Sequence, residues 1–214
     1  MGQVPPDRAL LRFILPLLVV TLAACATAGR PPGRLPSDEE VRVLEQAIRP
    51  LLEELDYPWP RTSTDCRVGL TIWQSRAINA SIGPGRSAAP CQYFLLGVTE
   101  GALSRLPVDM LRAILAHELG HLRVRPVQDE QRSDGPAILR PITRAFSQRE
   151  ETEADRFAVS LLRRIEPRYP GACMALVYVF ALLEEQQAGG RVPWLAAHPS
   201  PARRGETALT ECKR

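Results

Sequence analysis

The sequence predicts an α+β fold that is mainly helical and has a small β-sheet. Four segments are predicted to be helices, namely 37–55, 107–125, 151–165 and 171–187. The first two repeat apolar residues at helical spacing, and the last is very apolar and ends before Gly189-Gly190. Two shorter segments are predicted to be strands. Residues 66–73 alternate apolar and polar side chains, and residues 92–98 form a short apolar run after a turn rich in Gly and Pro. The 214 residues are enough for one domain with a sizeable core, and no internal repeat indicates a second one.

The predicted helices have recognisable ends. Ser37 and Glu40 match a capping box, which begins the first helix. Pro107 suits the first turn of the second helix, and Pro126 stops that helix. The second helix carries a broad apolar stripe, so we expect it to be buried.

The N-terminal residues predict export and a lipid anchor. The apolar run over 13–24 is too short for a membrane-spanning helix and is typical of a signal-peptide core. It ends in Leu22-Ala23-Ala24-Cys25, which resembles the bacterial lipoprotein box, so Cys25 is expected to be the acylated first residue of the mature chain. Ordinary secretory cleavage with Cys25 incidental is the alternative. The expected divisions are a lipoprotein signal peptide over 1–24, a tether over 25–36 and one domain over 37–214.

His117-Glu118-Leu119-Gly120-His121, in the second predicted helix, indicates a hydrolytic metal site. Residues four apart lie on one face of a helix, so both imidazoles can bind one Zn²⁺ ion. Glu118 would lie beside them as the general base for a water molecule. The alternative is a helix with two solvated histidines. The chain has only 3 histidines, and two of them fall in this pattern, which argues against chance.

A hydrolytic zinc site usually takes a third protein ligand, and Glu151 is the candidate. HELGH together with Glu-Thr-Glu-Ala-Asp-Arg, which begins at residue 151, resembles the HtpX and CAAX-prenyl-protease family of zinc metallopeptidases. The resemblance implies a zincin-like domain in which His117, His121 and Glu151 bind one zinc ion. It also implies that Asp155 orients a ligating histidine.

Glu150 and Glu153 are the competing carboxylates. Carboxylates at a helix N-terminus commonly compensate the helix dipole, so all of these glutamates could be solvated. Glu151 is favoured because it shares a helix face with Asp155. The interval between His121 and Glu151 is short for the family and leaves little room for a large insertion over the substrate.

Weaker similarity to the family covers roughly residues 66–204. Asn79 begins a segment that matches Asn-Ala-x-x-x-Pro-Gly and could contact substrate, although a plain turn residue is an equally good interpretation. An edge strand beside the metal could pair with an extended peptide. Downstream, His198 and Arg204 match a His-Pro-x-x-x-x-Arg element. His198 would either occupy the fourth zinc position in the resting enzyme or stabilise the oxyanion, and Arg204, with Arg203 as its competitor, would stabilise charge on the scissile carbonyl oxygen.

The cysteine content agrees with export. Apart from Cys25, the chain contains an even number of cysteines, which suits an oxidising compartment: Cys66, Cys91, Cys173 and Cys212. Three pairings are possible. The favoured one joins 66 with 91, which flank the predicted sheet region, and 173 with 212, which bracket the last predicted helix and the tail.

The formal net charge of +3, with scattered basic residues, gives no support for nucleic-acid binding. The motifs instead predict a zinc endopeptidase of the periplasm, held at the membrane by a lipid on Cys25. Ala26 after the cysteine favours the outer membrane. The family resemblance implies protein substrates, namely misfolded or misassembled envelope proteins. The first alternative is an outer-membrane assembly chaperone with a mostly closed zinc site. An inactive scaffold is a second alternative, and the presence of Glu118 argues against it.

Overall fold

The computed structural model describes residues 33–56, 68–84, 94–124, 147–188 and 201–214. These residues contain six helices and four strands, in the order β1 (Gly33–Arg34), α1 (Asp38–Glu54), β2 (Val68–Trp73), β3 (Ala80–Pro84), β4 (Phe94–Thr99), α2 (Glu100–Arg105), α3 (Val108–Val124), α4 (Gln148–Ile165), α5 (Ala172–Ala188) and α6 (Pro201–Cys212). The α+β class is therefore confirmed. The zincin-like fold stays a prediction.

The strands form one mixed sheet in the order β1-β2-β4-β3. β1 is antiparallel to β2, β2 is parallel to β4, and β3 is antiparallel to β4. β1 lies within the segment predicted as a tether, where Arg34 forms ion pairs with Glu40 and Glu100. β3 is the other edge of the sheet, and it contacts helix α3, which carries the His-Glu-x-x-His motif.

Strand β3 was not predicted from the sequence. Gly83 and Pro84 suggested a turn, but both residues belong to the strand, and Ser81 and Gly83 pair with Gly97 and Leu95 of β4. The signal that could have revealed the strand is the alternation of buried Ile78, Ala80 and Ile82. Proline is tolerated here because β3 is an edge strand.

The helices that were predicted are confirmed, with small shifts at their ends. Ser37 and Glu40 form the predicted capping box of α1. A second capping box, between Ser147 and Glu150, starts α4 three residues before the predicted start at Glu151. Helix α3 is buried on all sides from Leu111 to His121. It is therefore more deeply buried than its apolar stripe alone predicted.

Two helices were missed. The short helix α2 is capped at its N-terminus by Thr99, whose side chain accepts a hydrogen bond from the Ala102 amide. The C-terminal helix α6 lies after the last predicted helix, in a segment for which no helix was predicted. Pro201 in its first turn was the available signal for a helix start.

A disulfide joins Cys173, in the first turn of α5, to Cys212, at the end of α6, as predicted. The bond spans 39 residues of sequence. A loop of that length corresponds to about 4 kcal/mol of stabilisation in the chain-entropy model. Cys25, Cys66, Cys91 and His198 lie outside the described residues. Among the helices that are described, none combines the length and apolar character needed to cross a membrane.

The close approach of α3 and α4 depends on Gly120. A Cβ atom at Gly120 would lie 2.7 Å from both the Cα atom and the carbonyl oxygen of Ala154. Both are backbone atoms, which cannot move aside as a flexible side chain can. The absence of a side chain at position 120 therefore sets the separation of the two helices that carry the candidate metal ligands.

Gly120→Ala is expected to lower the free energy of unfolding by about 1–3 kcal/mol, because the new methyl group must push α4 away. Gly205→Ala in α6 is the matched control. Its Cβ would meet Phe180 Cβ at an ordinary 3.5 Å, so this change is expected to stabilise the helix by up to about 1 kcal/mol. Urea denaturation of both variants measures the difference, and equal effects at the two positions would contradict this account of the helix contact.

Candidate metal centre

The two histidines of α3 and a glutamate of α4 point their donor atoms at one place. His117 Nε2 lies 3.0 Å from His121 Nε2. Glu151 places Oε2 3.4 Å from His117 Nε2 and Oε1 3.5 Å from His121 Nε2. All three side chains are buried. The spacing of four residues on α3 and the closeness of α4 at Gly120 together produce this convergence.

These separations fit a bound metal ion. Donor atoms that surround a tetrahedral ion at about 2.0–2.2 Å are about 3.3–3.6 Å from one another. The two distances to Glu151 lie in this range, and the 3.0 Å between the two imidazole nitrogens is slightly shorter. The buried His117, Glu118 and His121 also form a group whose potential ligand atoms lie within 4.8 Å of one another. Two imidazoles and a carboxylate are a donor set that suits a divalent transition metal. The residues present therefore could hold such an ion.

Glu118 is buried beside the donor set, but its carboxyl group contacts the backbone of strand β3. Burial raises the pKa of its carboxyl to about 7, although a backbone hydrogen bond from Ile82 opposes the rise. Its Oε1 has no hydrogen-bond partner among the described residues. A buried carboxylate oxygen without a hydrogen bond is costly, and a catalytic role, a bound water or a bound ion are among the reasons for which proteins keep one. A carboxyl group with a pKa near 7 can both accept and donate a proton at neutral pH.

Asp155 holds the ring of His117 from the side opposite the donor set. Its Oδ1 lies 2.9 Å from His117 Nδ1. Burial alone would raise the pKa of Asp155, but hydrogen bonds from Arg204 and His117 lower it to about 2, so it is ionised. With Nδ1–H donated to this carboxylate, Nε2 is left to face His121 and Glu151.

Arg204, from α6, reaches the same cluster. Its Nε and Nη2 donate to the two oxygens of Asp155 at 2.8 and 2.7 Å, and its Nη1 lies 3.0 Å from Glu151 Oε2. Nη2 also lies 3.2 Å from both ring nitrogens of His117. The guanidinium stacks over the ring of Phe180, 4.5 Å from its centroid. One cation therefore contacts the candidate ligands and the aspartate that orients His117.

The charges around His117 favour its protonated form when no metal is present. Burial and the nearby Arg204 cation lower the pKa of His117, but hydrogen bonds to Asp155 and Glu151 outweigh them and raise it to about 9. A metal ion binds the neutral imidazole, so binding must displace this proton.

The structure separates the sequence-predicted residues from their competitors. Glu151 faces the histidines, whereas the side chain of Glu150 caps α4 and that of Glu153 pairs with Arg149. Arg204 is buried in the cluster, whereas Arg203 is exposed. The roles predicted for Glu151 and Arg204 in binding and catalysis stay predictions.

Asn79 lies directly before β3, where its backbone exchanges hydrogen bonds with Thr99. Its side-chain Oδ1 is buried and has no hydrogen-bond partner within the described part of the chain. The backbone bonds give Asn79 a structural role at the start of the edge strand. A contact with substrate stays a prediction.

Two residues of the site were missed from the sequence. Ile82 contributes its backbone amide, which carries no side-chain signal. Phe180 lies under Arg204 and edge-on to His117, with 6.5 Å between the ring centroids. Helix α5 is apolar around most of its circumference, so its sequence did not show which face meets the site.

Comparison with known proteins finds no family model, no curated protein and no solved structure that matches this chain. The resemblance of the motifs to a metallopeptidase family therefore stays a prediction, and the function is argued from the geometry of the site.

Metal binding to the folded protein at pH 8 is expected to release a proton from His117, whose pKa of about 9 lies above that pH. The affinity for the metal should therefore rise by up to about tenfold for each pH unit. Above about pH 9 the imidazole of His117 is already neutral, so deprotonation of this group no longer increases the affinity. Isothermal titration calorimetry in buffers of different ionisation enthalpy counts the protons released.

Asp155→Asn is the matched control, because it removes a group that raises the pKa of His117. It should release fewer protons than the parent at pH 8, while any proton lost from metal-bound water is common to both proteins. Equal proton release by the two would show that the imidazole is not the source.

Proposed function

We propose that this protein is a zinc-dependent endopeptidase that hydrolyses peptide bonds. The observation that carries the proposal is the buried carboxylate of Glu118 beside a convergent His117–His121–Glu151 donor set. A site that only stored or sensed a metal would not need a buried general base next to the ligands. The similarity of HELGH and of the downstream motif to the HtpX and CAAX-prenyl-protease family supports the same conclusion.

Zinc is the metal that fits best. Three protein ligands with imidazole and carboxylate donors are typical of hydrolytic zinc sites, which leave a fourth position for water or substrate. Bound zinc would supply Lewis-acid activation of a water molecule and of the substrate carbonyl. Asp155 and Arg204 keep the ligand side chains in place before any metal arrives.

Glu118 would move the proton in the reaction. In its ionised form it accepts a proton as a water molecule attacks the peptide carbonyl, and it then delivers that proton to the leaving amine. The backbone amide of Ile82 fixes the carboxylate by a hydrogen bond. The burial of Glu118, which is 2% exposed, keeps bulk water away from this transfer.

Strand β3 offers a place for the substrate backbone. Thr99 N donates to Asn79 O, so the alternation of an antiparallel pair turns Asn79, Ser81 and Gly83 toward β4. The backbone groups of Ala80 and Ile82 then face away from β4, at an edge that no other described strand covers, and Ile82 reaches Glu118 from there. A peptide that pairs with this edge would bring its carbonyl group to the general base.

The expected setting is the periplasm, with the protein held at the outer membrane by a lipid on Cys25. The support comes from the sequence, namely the signal-peptide pattern and Leu-Ala-Ala-Cys. The disulfide between Cys173 and Cys212 agrees with an oxidising compartment. In that setting the substrates would be misfolded or misassembled envelope proteins.

The burial of the site supports one alternative. His117, Glu118, His121 and Glu151 are each no more than 3% exposed, so a substrate needs a change in the structure to reach them. An assembly chaperone with a mostly closed zinc site would have this property. Activity measurements decide between the two functions.

Glu118→Gln is expected to keep the fold and the bound zinc but to lower the rate of peptide cleavage by at least about a hundredfold, because the amide cannot accept the proton. Cleavage of casein by the purified protein, with zinc content measured on the same sample, tests this expectation. Glu153→Gln is the matched control, since it makes the same chemical change in an ion pair on the outside of α4. Parent-like cleavage by zinc-loaded Glu118→Gln would refute the mechanism, and absence of cleavage by the zinc-loaded parent would favour the chaperone.

Cys25→Ser is expected to abolish acylation and to move the protein into the soluble periplasmic fraction, because a thioether-linked lipid cannot form on serine. Thr27→Ser, two residues away, is the control and should remain with the membrane. Fractionation followed by a salt wash measures both. If Cys25→Ser stays with the washed membranes, the lipoprotein assignment is wrong.

A further inference from the structure

The C-terminal helix α6 presents a single buried face to the rest of the domain. Pro201, Arg204 and Ala208 are buried, and they recur at intervals of three and four residues, so they lie on one side of the helix. Cys212 continues the same side by one more turn. This face packs against α5 and α4. Arg204 is its only charged member.

The disulfide and Arg204 lie on the same contact between α5 and α6. Cys173 is bonded to Cys212 at one end of the antiparallel pair, and Phe180 stacks on Arg204 about two turns farther along. Eight residues of helix separate Arg204 from Cys212, which corresponds to about 12 Å. The two helices pack at ordinary van der Waals distance there, since a Cβ atom at Gly205 would lie 3.5 Å from Phe180 Cβ. The covalent bond therefore fixes the helix that carries the guanidinium.

The guanidinium is in contact with groups that must hold their positions for a metal to bind. It donates to both oxygens of Asp155 and lies 3.0 Å from Glu151 Oε2. A planar, two-point bond of this kind fixes orientation as well as charge, which a lysine ammonium does not reproduce. Asp155 in turn holds Nδ1 of His117. Arg204 thereby acts on two candidate ligands, directly on Glu151 and through Asp155 on His117.

We infer that Arg204 is a positioning residue for the metal ligands, and that the Cys173–Cys212 disulfide holds it in the site, so that the metal centre is complete only in the oxidised protein. The inference rests on the metal site of the proposed function but not on peptidase activity. The disulfide thus holds helix α6 against the metal centre, and we call this helix the strap. In the reduced protein this bond is absent, so the position of Arg204 beside Glu151 and Asp155 is no longer fixed.

The chemistry of release is thiol–disulfide exchange with a dithiol reductant. The Sγ–Sγ bond breaks, and the two thiols of the reductant become a disulfide. The two electrons and two protons that it gives up convert Cys173 and Cys212 to thiols. Exchange with the disulfide of an oxidised dithiol partner re-forms the Sγ–Sγ bond, and that partner takes up the two electrons and two protons. No metal ion takes part in either direction.

Metal affinity, measured without substrate, tests the inference. Zinc binding is measured by competition with a chromophoric chelator, and cobalt binding by its visible absorption, which reports the coordination geometry. Arg204→Gln is expected to weaken binding about 10- to 100-fold, as is usual when a partner that orients ligands is lost. Arg204→Lys should restore little of the loss if orientation matters. If Arg204→Gln binds as tightly as the parent or more tightly, its charge merely opposes the metal and the inference is wrong.

The link to the disulfide is tested by a double-mutant cycle. The pair Cys173→Ser/Cys212→Ser is expected to weaken metal binding by at least about tenfold. Adding these changes to Arg204→Gln should cost little more, because both act through the same guanidinium. Losses that multiply would show that the disulfide and Arg204 act independently, and a folded serine pair that binds like the parent would remove the disulfide from the argument.

If the Cys173→Ser/Cys212→Ser protein does not fold, a second measurement on the parent protein tests the same link. The folded parent is reduced with a phosphine, and hydrogen exchange in α6 is followed together with the cobalt spectrum. Loss of protection in α6 together with a changed spectrum, while α3 stays protected, supports the strap. A protected α6 with an unchanged spectrum after complete reduction overturns it. A parent protein that binds no metal in either redox state instead refutes the proposed function.

Discussion

The contact between α3 and α4 at Gly120 is the constraint on which the candidate site depends. The Cα and carbonyl oxygen of Ala154 occupy the space that a side chain at position 120 would need. At this separation Glu151, less than one turn from Ala154, reaches the imidazoles of His117 and His121 at 3.4 and 3.5 Å. A wider spacing would leave the carboxylate short of the histidines. The glycine inside the His-Glu-x-x-His motif therefore has a packing role that is as specific as the roles of its polar residues.

Burying several charged groups together costs free energy of solvation, and the contacts within the cluster offset part of that cost. Glu118, Glu151 and Asp155 bring three carboxyl groups into the interior, where a lone charge would be strongly disfavoured. Arg204 neutralises Asp155 and Glu151 directly, and the pKa of Asp155 falls to about 2 as a result of that contact and of the bond to His117. Glu118 is treated differently, because burial raises its pKa to about 7. Carboxyl groups driven in opposite directions within one cluster indicate different chemical roles.

The parts of the structure that sequence analysis predicted well are those with local signals. The helical periodicity and the cap at Ser37 located α1, and the spacing of His117 and His121 located the donor pair before any tertiary contact was known. Glu151 was favoured over Glu150 and Glu153 by its position in the motif that resembles the metallopeptidase family, and by the helix face that it shares with Asp155. The pairing of Cys173 with Cys212 was favoured among three because they bracket the last predicted helix and the tail, and it is confirmed. Each of these inferences needed only a few neighbouring residues or one regular element.

The parts that were missed depend on contacts between distant segments. Strand β3 contains Gly83 and Pro84, and its pairing with β4 overrides their preference for turns. The amide of Ile82 reaches Glu118 only because β3 is the sheet edge next to α3, so no residue type at position 82 could announce it. Arg204 was predicted from the family resemblance, but its contacts with Asp155 and Glu151 depend on its direction from α6, for which no helix was predicted. The motif thus identified the atoms that would meet a metal, whereas the groups that hold those atoms come from the edge strand and the C-terminal helix, whose positions follow from packing.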